Sequence, residues 1–139
     1  MAVMVIHLAL SWGLLVLIWL VQTIIYPGFQ RVPAEDFRKY HAWYVKRITV
    51  IVLPLMIGEV AAVALWFATA ASIAAVMAAV LVAVVWAATF LLQVPIHRRL
   101  SRGKQTKLIN RLVATNWIRT IAWSLKALLV TVLVARQLF

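Results

Sequence analysis

Residues 112–135 read LVATNWIRTIAWSLKALLVTVLVA, and the rest of the fold can be worked out from this stretch. At about 1.5 Å of rise per residue it is long enough to cross a hydrocarbon core of roughly 30 Å. It nevertheless carries Asn116, Arg119, Thr120 and Lys126. With Trp123 these residues fall at i, i+3, i+4, i+7 and i+10, which puts them on one face of a helix. A charge at membrane depth costs at least about 2.5–3.5 kcal/mol on insertion scales, so such groups turn toward protein. The stretch is a membrane-spanning helix with lipid behind it and other helices in front of its polar stripe.

Three further apolar runs, residues 3–26, 48–67 and 73–96, supply those helices. Pro27-Gly28 is the stop signal for the first, Ala68 to Ser72 the turn after the second, and Pro95 with His97-Arg98-Arg99 the end of the third. The third run is rich in alanine, which lets helix backbones approach closely in lipid, and is expected at the middle of the bundle. Gln22 followed by Pro27 has a faint echo in Gln93 followed by Pro95, but apolar helices align easily and no duplication is read from it. The expected fold is all-α, a single four-helix transmembrane domain over residues 1–139.

Composition agrees. Hydrophobic residues make up 66% of the chain and mean hydropathy is +1.02, against about 45–50% apolar residues in ordinary globular domains. Residues 1–20 have neither a basic leader nor a small-residue cleavage site, and are read as a retained first helix. There is no cysteine, which excludes disulfides, thiolate metal sites and a cysteine nucleophile.

A net charge of +11 would point to nucleic acid in a soluble protein. Here the cations are gathered in two loops: Arg31, Arg38, Lys39, Lys46 and Arg47 in the first, Arg98, Arg99, Arg102, Lys104, Lys107 and Arg111 in the third. The opposite side offers only Arg136. This asymmetry places loops one and three in the cytoplasm and both termini outside, as a multi-pass protein of the cell inner (plasma) membrane. The expected partners are the lipid bilayer and a lipophilic small molecule, and no nucleic acid; association between copies of the chain is left open. The first loop also holds Phe37, Tyr40, Trp43 and Tyr44 among charges, the pattern of a short interfacial helix leading into the second span.

Depth along the helices brings the polar residues into register. Gln22, Gln93 and Asn116 lie within about two turns of the cytoplasmic boundary, Arg119 and Thr120 slightly deeper, and Glu59 and Lys126 near the centre. Glu59 is the only acid within any span, with Arg119 and Lys126 as candidate partners. A cavity between the four helices is expected in the cytoplasmic half, lined by Gln22, Glu59, Gln93, Asn116, Arg119 and Trp123, because the five donors of Arg119 cannot be met by lipid. Tyr26 and Thr120 join the candidate binding residues, and Trp19, Trp86 and Trp123 the candidate apolar walls. In this reading Arg119 and Glu59 are the candidate catalytic groups, a donor to a developing oxyanion and a proton acceptor.

His41 and His97 sit at the cytoplasmic interface and are the candidate ligands of a haem iron or transition metal, while His7 lies across the membrane. No cofactor is required by the sequence. A glycine-rich phosphate loop, a nucleophile elbow and a zinc-spaced histidine pair are all missing.

The pattern Gln93-x-Pro95-x-His97-x-x-Leu100, followed by Asn116-Trp117-Ile118-Arg119-Thr120-x-x-Trp123, resembles the DUF1772 family of four-helix membrane proteins, which includes anthrone oxygenase-like members. The resemblance extends over most of the chain in length and helix count, and is best in the segment from Asn116 to Arg119. It implies oxygenation of lipophilic aromatics. Phe37-x-x-Tyr40-His41 and Glu59 are not part of the oxygenase pattern. Three functions stand side by side: an oxygenase or oxidoreductase acting on a membrane-dissolved aromatic or quinone-like molecule, a transport or accessory subunit with a Glu59–Arg119–Lys126 relay, and a haem or metal protein.

The charge asymmetry makes the orientation testable in a chain without native cysteine. Ser101→Cys is expected to react with a membrane-impermeant thiol reagent only from the cytoplasm, and Gln137→Cys only from outside; the reverse labelling would overturn the topology.

Overall fold

Helix accounts for nearly every residue in a computed structural model of the protein, which describes residues 2–138, and the side-chain surroundings of residues 3–137. The first rod is α1 (Ala2–Leu20), a π turn at Val21–Ile25, α2 (Tyr26–Gly28) and a 3-10 turn at Phe29–Arg31. The second is α3 (Ala34–Thr69), unbroken. The third is α4 (Ile73–Ala88), a π turn at Thr89–Gln93 and α5 (Val94–Leu100), and the fourth is α6 (Thr106–Leu138). Four stretches, Val3–Arg31, Ala34–Thr69, Ile73–Leu100 and Thr106–Gln137, are long and apolar enough to cross a membrane. The protein is an all-α, multi-pass membrane bundle.

The prolines explain the π turns. A proline inside a helix has no N–H to donate and its ring presses on the carbonyl four residues back; for Pro27 and Pro95 those are Thr23 and Leu91, each within a π turn. Widening the turn relieves that pressure, so Tyr26 N–H donates to Val21 O and Val94 N–H to Thr89 O, one residue further back than in an α-helix. Both rods therefore pass through their prolines instead of stopping at them, and each π turn contains one buried glutamine, Gln22 or Gln93. π bulges of this kind often mark functional sites.

The rods pack as a square. α1 lies against α3 and α6, and α4 against the same two. The alanine-rich α4 is thus a wall and not the centre: Ala75, Ala78 and Ala88 are buried while Ala83 and Ala87 face outward. The most buried rod is α6, whose polar stripe leaves it no face to give to lipid except the opposite one. Large apolar residues such as Ile24, Val50, Ile73 and Leu91 are exposed all round the outside, as a bilayer requires.

One end of the bundle carries both termini and the tight turn Ala70 to Ser72, where Ser72 Oγ accepts from Ala75 N at 3.2 Å and caps α4. The other, basic end carries the remaining connections, residues 32–33 and 101–105. There Lys104 Nζ donates to Gln30 O at 2.7 Å and Val32 O at 2.8 Å, closing the carbonyl end of the first rod with a cation. The aromatic stretch expected as an interfacial helix forms the opening turns of α3 and runs into the span without a break; Phe37, His41 and Tyr44 face inward and Tyr40 and Trp43 outward.

α1 and α3 approach most closely where Gly58 meets Leu10: a Cβ on Gly58 would stand 3.3 Å from both Leu10 methyls. Gly58→Ala is expected to be absorbed by a small shift of Leu10. Gly58→Leu should separate the two helices and lower stability by about 1–3 kcal/mol, readable as a fall in the thermal midpoint in detergent.

Candidate functional site

All five residues of the α6 stripe, Asn116, Arg119, Thr120, Trp123 and Lys126, are buried. They serve two separate clusters, one toward each end of the bundle.

Toward the basic end, Gln22 is the hub. Its Oε1 accepts from Asn116 Nδ2 at 2.9 Å and from Thr120 Oγ1 at 3.0 Å, and its Nε2 donates to Val113 O at 3.1 Å. The π turn sets it opposite α6, and all its hydrogen-bonding groups are used there. Arg119 lies beside this knot. Its NH1 donates to Asn116 Oδ1 at 3.3 Å and its guanidinium sits 5.3 Å from the Trp123 ring centre. Its Nε, also buried, has no protein partner. On the third rod Gln93 Nε2 donates to Thr115 Oγ1 at 3.0 Å, while its Oε1 is buried and without a partner.

Next to them runs a short chain of titratable groups. Tyr26 Oη is 3.0 Å from His97 Nε2, and His97 Nδ1 is 2.9 Å from His41 Nε2. A neutral imidazole has one donor and one acceptor nitrogen, so His97 can hold its proton toward Tyr26 or toward His41, and the chain can pass a proton in either direction. Phe29, fully buried, packs edge-on against Tyr44, His41 and Phe37 and fixes the rings from below. His41 and His97, the candidate ligand pair, come together as hydrogen-bond partners. The described residues include no group of three or more His, Cys, Asp or Glu suited to a metal.

A cavity of about 510 Å3 adjoins these residues. Arg119, Gln93, Tyr26, His41, His97 and Trp123 form its polar and aromatic side, and Leu17, Ile18, Val21, Ile48 and Val52 its apolar side. It opens between α3 and α5, where the exposed residues Lys46, Thr49, Arg98 and Ser101 form the rim. The lining differs from the sequence expectation. Gln22 and Asn116 stand behind Arg119, occupied with each other. Glu59 is elsewhere. Of the expected tryptophan walls only Trp123 reaches the cavity; Trp19 is turned outward, with Nε1 donating to Ser124 Oγ at 3.2 Å.

Glu59 belongs to the second cluster, toward the terminal end, where its carboxylate is ion-paired with Lys126. Lys126 Nζ is also 2.7 Å from His7 Nε2 and donates to Ser11 Oγ at 2.9 Å, and Ser11 Oγ donates to Glu59 Oε1 at 3.1 Å. Each of the four residues is at most 1% exposed. Between the sequence-level partners of Glu59, geometry selects Lys126. His7 and Ser11 had been overlooked, although a signal was present: His7, Ser11, Leu14, Ile18 and Gln22 follow helical spacing and all are buried.

Comparison with known protein families, curated proteins and solved structures returns no match for this chain.

The ion pair yields a direct test. Removing one partner of a buried pair strands the other charge at a cost of about 3–5 kcal/mol, whereas replacing both can be neutral. Glu59→Leu or Lys126→Leu alone is expected to lose most of the folded protein, and the double variant to recover it; additive losses in the cycle would show that the two groups do not act as a pair.

Proposed function

We propose that this protein, set in the plasma membrane with its basic end in the cytoplasm, takes a lipophilic aromatic or quinone-like molecule from the bilayer into the cavity between α3 and α5. The observation that carries the reading is a pair of unused groups on one cavity wall: Arg119 Nε, a donor, and Gln93 Oε1, an acceptor, both buried and both without a protein partner. Buried polar groups are normally satisfied. A molecule bearing a hydroxyl, as phenols and quinols do, answers both groups at once, its oxygen accepting from Arg119 and its hydrogen going to Gln93, whereas a quinone carbonyl answers Arg119 alone.

Charge supports the same reading. The lining contains Lys46, Arg98 and Arg119 and no carboxylate, so a phenolic oxygen is favoured as its anion. The proton it gives up has a receiver in the His97–His41 pair, and Tyr26 holds the imidazole in place. The apolar side of the cavity suits the remainder of the ring system and its tail. Oxidation of such a molecule, which the resemblance to DUF1772 oxygenases implies, starts from that electron-rich anion with dioxygen as co-reactant. Here the base is His97 and the anion's partner Arg119; Glu59, held by Lys126 in the other cluster, is not placed to act on the same molecule.

Binding of a naphthol and of the matching naphthoquinone to protein in nanodiscs, followed by quenching of tryptophan fluorescence, tests the reading. Arg119→Gln is expected to weaken naphthol binding by at least about tenfold, the worth of one charge-assisted hydrogen bond, and Gln93→Leu to weaken it less. Unchanged affinity in both folded variants would remove the site.

A further inference from the structure

The cluster at Lys126 is independent of that cavity and shares no residue with it. Its hydrogen bonds can be assigned atom by atom, with one buried nitrogen left over. An ammonium has three hydrogens and can only donate; those of Lys126 go to the Glu59 carboxylate, to Ser11 Oγ and to His7 Nε2. Ser11, having accepted from Lys126, passes its own hydrogen to Glu59 Oε1. His7 Nε2 is therefore an acceptor, so the imidazole is neutral and carries its proton on Nδ1, a buried atom with no partner. The resting cluster holds one cation, one anion and one neutral base. α1 contributes His7, α3 Glu59 and α6 Lys126, while α4, the remaining wall, has no ionisable residue.

A Lys–Glu pair by itself would pin α3 to α6. The histidine adds nothing to that pin that an asparagine or serine could not, except a place for a proton. Toward the basic end the cluster is bounded by Leu14, Met56 and Trp123, all nearly fully buried, and Trp66 stands edge-on to His7 at 5.5 Å.

We propose that His7, Ser11, Glu59 and Lys126 form a proton-binding site in which Glu59 changes partner between Lys126 and His7. A proton arriving at His7 Nε2 turns that atom from acceptor to donor, and the hydrogen bond from Lys126 breaks because two donors then face each other. The nearest carboxylate oxygen is Glu59 Oε2, 3.9 Å from Nε2. That oxygen, until then the partner of Lys126, turns onto the imidazolium, while Ser11 stays on Oε1. The cluster goes from neutral to one positive charge, and release of the same proton restores the first arrangement. This is the chemistry of a proton-coupled membrane protein, since intramembrane ionisable groups mark proton and ion pathways.

The test uses the full chain in nanodiscs with isotope-labelled histidine, lysine and glutamate, followed by NMR from about pH 8 to about pH 4, a window that covers imidazole titration. The His7 signals are assigned with His7→Asn. The expected result is one protonation step at His7, accompanied in the same step by shifts of the Lys126 amine and the Glu59 carboxyl carbon, the last two disappearing in His7→Asn. In the charge-balanced double variant Glu59→Gln/Lys126→Met, the His7 step should move by at least one pH unit, a tenfold change in proton affinity. A His7 that stays neutral throughout, or one that titrates while Lys126 and Glu59 do not respond, would overturn the proposal.

Discussion

Two cations on one helix govern this structure. α6 carries Arg119 and Lys126 into a region where lipid offers no acceptors, and the spans hold a single acid to meet them. Only one cation can take the carboxylate. Glu59 goes to Lys126, whose ammonium hydrogens also reach Ser11 and His7, and the cluster closes on itself. Arg119 is left with an amide oxygen and an aromatic ring; it lines the cavity, and its buried Nε has no protein partner. A closed cluster and an open one follow from that unequal division.

The backbone makes the open cluster affordable. Amide side chains must stand opposite α6 at the level of Asn116, and both neighbouring rods put them there in a π turn just ahead of a proline, Gln22 five residues before Pro27 and Gln93 two before Pro95. The two glutamines then differ in fate. Gln22 makes its hydrogen bonds to α6, through both its oxygen and its nitrogen, whereas Gln93 uses its nitrogen alone, on Thr115, and its buried oxygen has no protein partner. The first is a brace for Arg119 and the second is available to a ligand.

An apolar layer lies between the clusters: Leu14, Ile18, Met56 and Trp123 belong to one buried hydrophobic cluster, and Trp123 and Lys126 are one turn apart on α6. Trp123 touches both regions, as cavity lining and as the partner of Arg119.

Composition, helical periodicity and charge asymmetry were enough to settle that the chain crosses the membrane four times, and that Asn116, Arg119, Thr120, Trp123 and Lys126 look inward, because lipid penalises any other orientation of such groups. The same arithmetic applied to α1 would have found His7 and Ser11. What sequence left undecided was partnership. Whether Glu59 met Arg119 or Lys126 depends on the height at which α3 passes α6, which only the packed bundle decides. Prolines read as stops became π turns, since a helix in lipid loses more by ending than by widening. The His41–His97 bond likewise exists only because two rods meet at the basic end. Periodicity fixes the face a residue occupies; which residue waits on the facing helix is fixed by packing alone.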